Sequence, residues 1–166
     1  MSTPTFGDNV SIIARIEQAI ADRLAAQTYD SSAVFETADV WKGQLAEKDA
    51  LAALVRYAPC AFVAYAREQA RREGGDLCNH LIFAVWIGQV STAPGLARIG
   101  GVEDIGGTLK LGVLALREIV IGALDGWHPG GELPVDPMYH DGGNVIVDKP
   151  NAVLMEQRFG LNYITD

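Results

Sequence analysis

Cysteine and histidine are scarce in this chain of 166 residues, which has two cysteines and three histidines. Cys60 and Cys78 both lie within apolar runs and form no CxxC pair. Buried free thiols in a reducing compartment are therefore the default expectation. A disulfide between adjacent strands remains an open alternative.

Positive charge is also in short supply. Thirteen Lys and Arg stand against 21 Asp and Glu, which gives a formal net charge of −8 and an isoelectric point near 4.8. A domain that grips nucleic acid needs a basic face, so this balance argues against nucleic-acid binding. It agrees with simple solubility, or with a pore through which DNA passes without adhering.

The chain has no long hydrophobic run. Residues 1–7 contain neither a basic nor an apolar block, and the most apolar helical stretch, 108–124, contains three charges. Neither a secretory signal nor a membrane-spanning segment is therefore expected. The length fits a single domain over residues 1–166, with residues 1–9 as a flexible N-terminus.

Hydrophobic periodicity predicts an α/β (α+β) fold, in which about three helices flank a mixed or antiparallel β-sheet. The first helix is expected over residues 11–26, with Asp8 or Asn9 as its N-cap and an apolar stripe of Ile13, Ile16, Ile20 and Leu24. A strand at 33–40 and a short helix at 47–57 follow. On that helix one side would carry Leu51, Leu54 and Val55. After residue 137 the pattern predicts β segments separated by a turn at 141–144.

Two apolar strands, at residues 60–65 and 81–90, flank a charged segment at 67–76 and predict a long β-hairpin with projecting arms. The charged segment holds the only dense basic cluster in the sequence, formed by Arg67, Arg71 and Arg72. Two interpretations remain open. The cluster is either a solvated arm with internal ion pairs, or an assembly contact in which arginines meet carboxylates of a partner.

A glycine-rich loop is predicted at 91–107, and it leads into the most apolar helix, at 109–124 with Thr108 as its N-cap. Besides its core stripe, this helix would present a second apolar surface formed by Leu111, Leu114 and Ile121. A helix that is apolar on more than one side lies between layers or against another subunit. These three residues are therefore candidate assembly residues.

No catalytic or cofactor-binding motif is found. His80, His128 and His140 lack metal-ligand spacing, and the sequence contains no GxSxG elbow. A dyad of Cys78 and His80 on one strand face would separate the two by about 7 Å, which is loose for proton transfer. The glycine pairs at 100–101 and 106–107 fit neither the Walker nor the Rossmann pattern. We therefore expect a protein that is not an enzyme and holds no metal and no cofactor.

Several stretches of the sequence resemble a known family. The first is the helical opening IIARIEQAI at 12–20. The second and third are YAPCAFVAY at 57–65, where a proline leads into a hydrophobic strand, and the strand LIFAVWI at 81–87. The fourth is the glycine-rich loop before the apolar helix that ends in LDG at 124–126. In this order, over residues 10–164, they are similar to the tail terminators of Mu-like phages and prophages. The likeness lies in hydrophobic patterns that contain few polar residues.

The resemblance implies a virion structural protein without catalytic residues. Such a protein caps the tail tube as a homo-oligomeric ring, usually of about six subunits, and joins it to the head through neck proteins. DNA passes through the lumen without specific binding, no membrane is involved, and the protein is made in the host cytoplasm. The alternatives are a head–tail connector, or a small enzyme or ligand-binding domain with a polar pocket near Trp127, His128, His140 and Asp141.

Overall fold

The computed structural model describes residues 11–43, 50–73, 76–92, 95–98, 102–105, 108–130 and 132–165, and the expected flexible terminus at 1–9 lies outside them. Three helices occur in these ranges: α1 (Ile12–Ala25), α2 (Ala50–Tyr57) and α3 (Val113–Leu124). None of these three is long and apolar enough to cross a membrane.

Helix α1 follows its predicted amphipathic pattern, because Ile16, Ile20 and Leu24 are fully buried. The helix begins after Ser11, whose hydroxyl accepts a hydrogen bond from the backbone N–H of Ile13 at 3.2 Å. Ser11 thus caps the helix. The residues predicted for that role, Asp8 and Asn9, lie outside the described ranges.

Helix α2 differs from its prediction in the side that it buries. Leu54 is buried, but Val55 is 62% exposed. Placing both on one side was wrong, since consecutive residues of a helix lie about 100° apart around its axis.

The strands in the described ranges are short at the start of the chain and long in its middle and at its end. In chain order they are β1 (Thr28–Tyr29), β2 (Ser32–Ala33), β3 (Thr37–Val40), β4 (Cys60–Glu73), β5 (Asp76–Val90), β6 (Val102–Ile105), β7 (Thr108–Leu111), β8 (Tyr139–Lys149) and β9 (Ala152–Thr165). Five of them form one mixed sheet in the order β3-β4-β5-β9-β8, in which β3 and β4 are parallel and the other pairs antiparallel. This arrangement confirms the predicted α+β class with a mixed sheet, about three helices and a long hairpin.

The hairpin of β4 and β5 is longer than predicted. The two strands pair from Cys60 opposite Gly88 to Glu73 opposite Asp76, with one bulge after Tyr65. The charged segment at 67–76 therefore belongs to the strands, apart from residues 74 and 75 between them. Alternation of polar and apolar residues did not reveal these strands, because residues 66–72 are exposed on both faces of the sheet.

The two faces of the sheet are covered differently. Helices α1 and α3 pack on one face, where Val63, Phe83 and Phe159 are fully buried in the main core. Helix α2 packs on the opposite face at the base of the hairpin, where Leu54, Cys60 and Phe62 belong to a smaller core. Toward the tip of the hairpin, β4 leaves both cores and residues 66–72 are exposed.

The third helix is shorter than predicted. It begins at Val113, and its N-cap is Gly112 in an extended conformation (φ −69°, ψ 163°) without a side-chain cap. Residues 108–111 form β7 against β6, so Thr108 is not an N-cap and the predicted loop contains a strand. Glycine is unfavourable within a helix, so the helix starts after it. Leu111 consequently lies on a strand and not on a helix face with Leu114 and Ile121.

The final two strands are also longer than predicted. The turn predicted at 141–144 lies inside β8, where the register shifts between His140 and Gly143. Gly142 has a φ of +96°, which glycine adopts readily at a β-bulge. The glycine pair therefore bends the strand without reversing it.

Candidate functional site

The three arginines of the predicted basic cluster lie on the outer part of β4, near the hairpin tip. The prediction of projecting arms was wrong, because β5 is also paired with β9 from Leu77 to Val90 and the hairpin is therefore part of the sheet. Arg67 is paired with Ile82, Arg71 with Cys78, and Arg72 with Leu77. Successive side chains of a strand point to opposite faces. Arg67 and Arg71 therefore share the face on which α2 packs, and Arg72 points to the other face.

A groove runs across the sheet on the face of Arg67 and Arg71, and we call it the arm groove. Its volume is about 370 Å³, and four strands supply its lining: Arg67, Gln69, Arg71, Cys78, His80, Tyr139, Asp141 and Asn162. Gln69 and His80 are directly opposite each other in the ladder, and His80 is opposite Asn162 on the next strand. The sheet register thus brings together residues that are distant in the sequence.

A chain of hydrogen bonds crosses the floor of the arm groove. Asn162 donates from Nδ2 to Asp136 Oδ2 at 3.1 Å, so its Oδ1 is the atom that faces His80 Nδ1 at 2.9 Å. An amide oxygen only accepts, so neutral His80 carries its proton on Nδ1. His80 Nε2 then accepts from the Tyr139 hydroxyl.

Tyr139 closes this chain at the exposed end. Burial raises the pKa of the Tyr139 phenol, Asp141 raises it further, and Arg67 acts in the opposite direction. The phenol therefore stays protonated at neutral pH and remains a donor. Its ring also stacks on the imidazole of His80, with centroids 5.6 Å apart and planes 16° from parallel.

Arg67 and Arg71 are the two arginines among the described lining residues of the arm groove, and their strand continues to Glu73, which is paired with Asp76. Within the described ranges, ion pairs join four other sets of residues, namely Lys42–Asp39, Arg98–Asp148, Arg117–Glu118 and Arg158–Glu156. Arg71 donates instead to the neutral amide oxygen of Gln69 at 3.5 Å. Asp141 is the single carboxylate among those lining residues that the structure describes. Guanidinium groups bind carboxylates and phosphates well, so Arg67 and Arg71 are the groups of this groove that could hold an anion.

The two cysteines do not form a disulfide. Both are free, and their positions on the hairpin ladder, opposite Gly88 and Arg71, are ten residues apart, or roughly 33 Å. Burial raises the pKa of the Cys60 thiol to about 12, so this thiol is a poor nucleophile at neutral pH. Cys78 and His80 do share the arm groove, but both nitrogens of His80 are engaged with Asn162 and Tyr139.

The other two histidines have structural hydrogen bonds. His128 Nε2 lies 2.9 Å from the carbonyl oxygen of Val135, and His140 Nε2 lies 2.9 Å from Gln157 Oε1. In the part of the chain that the structure describes, no group of three His, Cys, Asp or Glu could hold a metal ion. His128 and His140 do not line the arm groove, while Asp141 does.

The predicted apolar assembly surface is not continuous. Leu111 is buried, and Ile121 is partly buried against the main core. Leu114 is 40% exposed, so it is the one member of the three with a large exposed fraction. Part of the helix surface that was expected to face a partner instead faces this subunit's own core.

Sequence reasoning missed an apolar edge. β8 is the last strand of the five-stranded sheet, and Val145 and Ile146 on it are 42% and 49% exposed. The apolar run VIV at 145–147 was visible in the sequence. That this run lies at a sheet edge depends on the strand order, which the sequence does not show. His80, Tyr139 and Asn162 were missed as a set for the same reason.

Searches with protein-family models and against curated proteins found no match to this chain.

Proposed function

We propose that this chain is a tail terminator of a phage or prophage, a virion structural protein that closes the tail tube as a ring and joins it to the neck. The observation that carries the proposal is the exposed outer part of β4 in the hairpin with β5, which we call the arm. Residues 66–72 of β4 are all exposed although they are paired with β5. Together with the resemblance in sequence, this arm favours an assembly protein.

The outer part of β4, residues 66–72, gains little burial from folding within one subunit, because all seven residues are exposed. Fixing the backbone of each residue costs about 1–2 kcal/mol, and exposed side chains bury little apolar area to offset that cost. Pairing with β5 supplies backbone hydrogen bonds along one edge of β4. Packing against a neighbouring subunit would supply the burial that residues 66–72 of β4 lack within one subunit.

A closed ring of identical subunits needs two unlike, complementary surfaces on each copy. The arm is one candidate surface. The edge of β8 is the other, since β8 has a described partner only in β9 and exposes Val145 and Ile146. An edge strand with exposed apolar side chains is a template for contact with another chain.

The charge balance supports the same proposal. A formal net charge of −8 disfavours adhesion of the DNA backbone, which is required where DNA slides through a channel. Arg67 and Arg71 would then serve contacts between proteins. They lie in one groove on one face of the sheet.

Two measurements test the proposal: the mass of the assembled protein, and the effect of the protein on the growth of tail tubes. Light scattering after size exclusion at high protein concentration should give closed rings of about six subunits, visible by negative-stain microscopy. Rings added to growing tail tubes should stop elongation and appear at tube ends. If tubes of the same phage grow to the same length with and without the protein, the proposal fails.

A matched pair of variants tests the β8 surface. Ile146→Lys places a charge on an exposed residue of the β8 edge, and Val55→Lys does the same on exposed helix α2. Neither change disturbs a core, so both proteins should fold. We expect Ile146→Lys to abolish ring formation and Val55→Lys to preserve it. Equal assembly of both variants would show that the ring does not use β8.

A further inference from the structure

We infer that copies of this chain join edge to edge, through backbone hydrogen bonds between the outer edge of β4 (residues 66–73) in one copy and the outer edge of β8 (residues 141–149) in the next. The main sheet then continues from one copy into its neighbour. The inference rests on the proposed function, because it names the contact that closes the ring. It follows from the pairing, the direction and the position of the two strands.

The outer edge of β4 begins where the cover of its inner part ends. Strand β3 pairs with β4 as far as Val63, whose carbonyl accepts a hydrogen bond from the backbone N–H of Trp41 at 2.7 Å. Two residues further on, the N–H of Tyr65 donates to the Glu17 carboxylate of α1 at 2.5 Å. From residue 66 to residue 73, the described ladder partner of β4 is β5 alone. One backbone edge of this stretch is therefore a template for a further strand.

The outer edge of β8 is paired on one side in the same way. The described ladder partner of β8 is β9, and the N–H of His140, near the start of β8, donates to the Asp125 carboxylate at the end of α3 at 3.0 Å. Val145 and Ile146, further along the strand, are 42% and 49% exposed. Bulges such as those of β8 often protect an edge from pairing, whereas exposed apolar side chains on an edge favour cover by another chain.

The directions of the two strands suit this pairing. β4 is antiparallel to β5, β5 to β9, and β9 to β8, so β8 runs opposite to β4 within one copy. A neighbour in the same orientation brings its β4 beside β8 as one more antiparallel step. With one antiparallel strand fewer, the two edges would meet in parallel, which is slightly less stable per residue.

The two edges lie at diagonally opposite corners of the sheet. Residues 67–73 of β4 are level with residues 76–82 of β5. Residues 143–149 of β8 are level, across β9, with residues 85–90 of β5. Full pairing therefore displaces the next copy along the strands by about eight residues, or roughly 27 Å. Closing a sheet on itself requires a stagger of this kind, since the strands tilt relative to the axis of the ring.

A second copy is the partner that supplies the matching edge. The two edges are eight and nine residues long and contain no proline, so every residue in them keeps its N–H donor. Charge does not oppose their pairing, because the β4 edge has three Arg and two Glu while the β8 edge has two Asp and one Lys. Pairing each edge with its own kind gives two-fold contacts, whereas unlike edges meeting head to tail generate a ring.

The first test is hydrogen exchange of the backbone amides, followed by mass spectrometry. Assembled protein is compared with the same protein diluted until the ring dissociates, and helix α2, away from both edges, is the internal control. Alternate amides of an edge strand face outward, so we expect about half of the amides in 66–73 and in 141–149 to exchange at least about tenfold more slowly in the ring. Protection of one edge alone, protection of neither, or failure to assemble at any concentration would overturn the inference.

The second test identifies which edges meet. Ala70→Cys and Ile146→Cys are made separately in a Cys78→Ser background, mixed at high concentration and treated with a short bis-maleimide. We expect cross-linked dimers that contain one copy of each variant. Val55→Cys, at a 62% exposed position on α2, replaces Ile146→Cys in the control mixture and should give at least about tenfold fewer dimers. Cross-links that join only copies of the same variant, or equal yields from the two mixtures, contradict the pairing of β4 with β8.

The two proposals fail in distinguishable ways. If wild-type rings protect both edges but do not stop the growth of tail tubes, the terminator function fails while the contact between copies stands. If wild-type rings stop tube growth but leave both edges unprotected, the contact fails while the function stands.

Discussion

Gly160 lies directly beneath the ring of Tyr139 on the neighbouring strand, where the two residues are paired in the ladder. A Cβ atom at position 160 would be 2.5 Å from Tyr139 Cζ and 2.9 Å from Cε1. Tyr139 is 38% exposed, so its ring can swing outward. We therefore expect Gly160→Ala to act by displacing Tyr139 and breaking its bond to His80.

The size of this effect follows from three contributions. Losing the Tyr139–His80 hydrogen bond costs about 0.5–1.5 kcal/mol, and losing the aromatic stacking costs a similar amount, about 0.5–1.5 kcal/mol. Alanine in place of glycine in a strand returns about 0.5–1 kcal/mol. The sum is a net destabilisation of about 1 kcal/mol. In a Tyr139→Ala background only the favourable part remains, so the same change should stabilise by about 0.5 kcal/mol.

Urea denaturation of the four proteins in this double-mutant cycle measures the coupling, which we expect to be about 1.5 kcal/mol. Gly122→Ala is the control. Gly122 lies exposed on α3, and no atom lies within 4 Å of the place that a Cβ atom would take there. Alanine at that position should therefore stabilise by about 0.5–1 kcal/mol in either background. If Gly160→Ala has the same effect with and without Tyr139, the proposed steric coupling is refuted.

Three further predictions concern the core. Gly88→Ala should lower the free energy of unfolding by about 1–3 kcal/mol, because its Cβ would be 2.5 Å from Leu54 Cδ2 and 2.9 Å from Cys60 Sγ. Urea denaturation measures this change. An unchanged urea midpoint would contradict this packing. Burial raises the pKa of Cys60 from 9.0 to about 12, so the unfolded chain ionises first as pH rises. The free energy of unfolding should stay constant up to about pH 9 and then fall by up to about 1.4 kcal/mol per pH unit. The Cys60→Ala variant should lack this fall. Equal slopes for the wild type and the variant would rule out a buried thiol. Leu116→Ala should cost about 2–5 kcal/mol because Leu116 is fully buried, while Leu114→Ala, at a 40% exposed position, should cost under about 0.5 kcal/mol. Similar losses in thermal melts would contradict the orientation of α3.

Local patterns of apolar and polar residues predicted the helices and strands that bury only one of their sides. The stripe of Ile16, Ile20 and Leu24 was readable because the helical repeat and burial coincide. The start of the third helix was not readable, since the alternation of Leu109, Lys110 and Leu111 suits a half-buried strand as well as a helix. The extent of the hairpin was hidden because its outer part is polar on both faces, and pairing with β5 holds it as a strand.

The candidate site was only partly visible beforehand. The basic cluster stood out by composition, but assigning Arg71 and Arg72 to opposite faces required knowing that the strand continues to Glu73. His80, Tyr139 and Asn162 meet although up to 82 residues separate the members of one hydrogen bond. No local spacing encodes such a meeting, because it depends on strand order and register.

The sequence by itself determined the composition of the protein, its acidic charge, its α+β class and the amphipathic face of α1. These properties depend on residue types and on periodicities within a few turns or pleats of the chain. Only the tertiary structure decided which strand lies at the sheet edge, which arginines share a groove, and which histidine joins the hydrogen-bond chain beneath them. Those features arise from ladders between distant strands, whose register is selected by burial of the whole sheet against its helices.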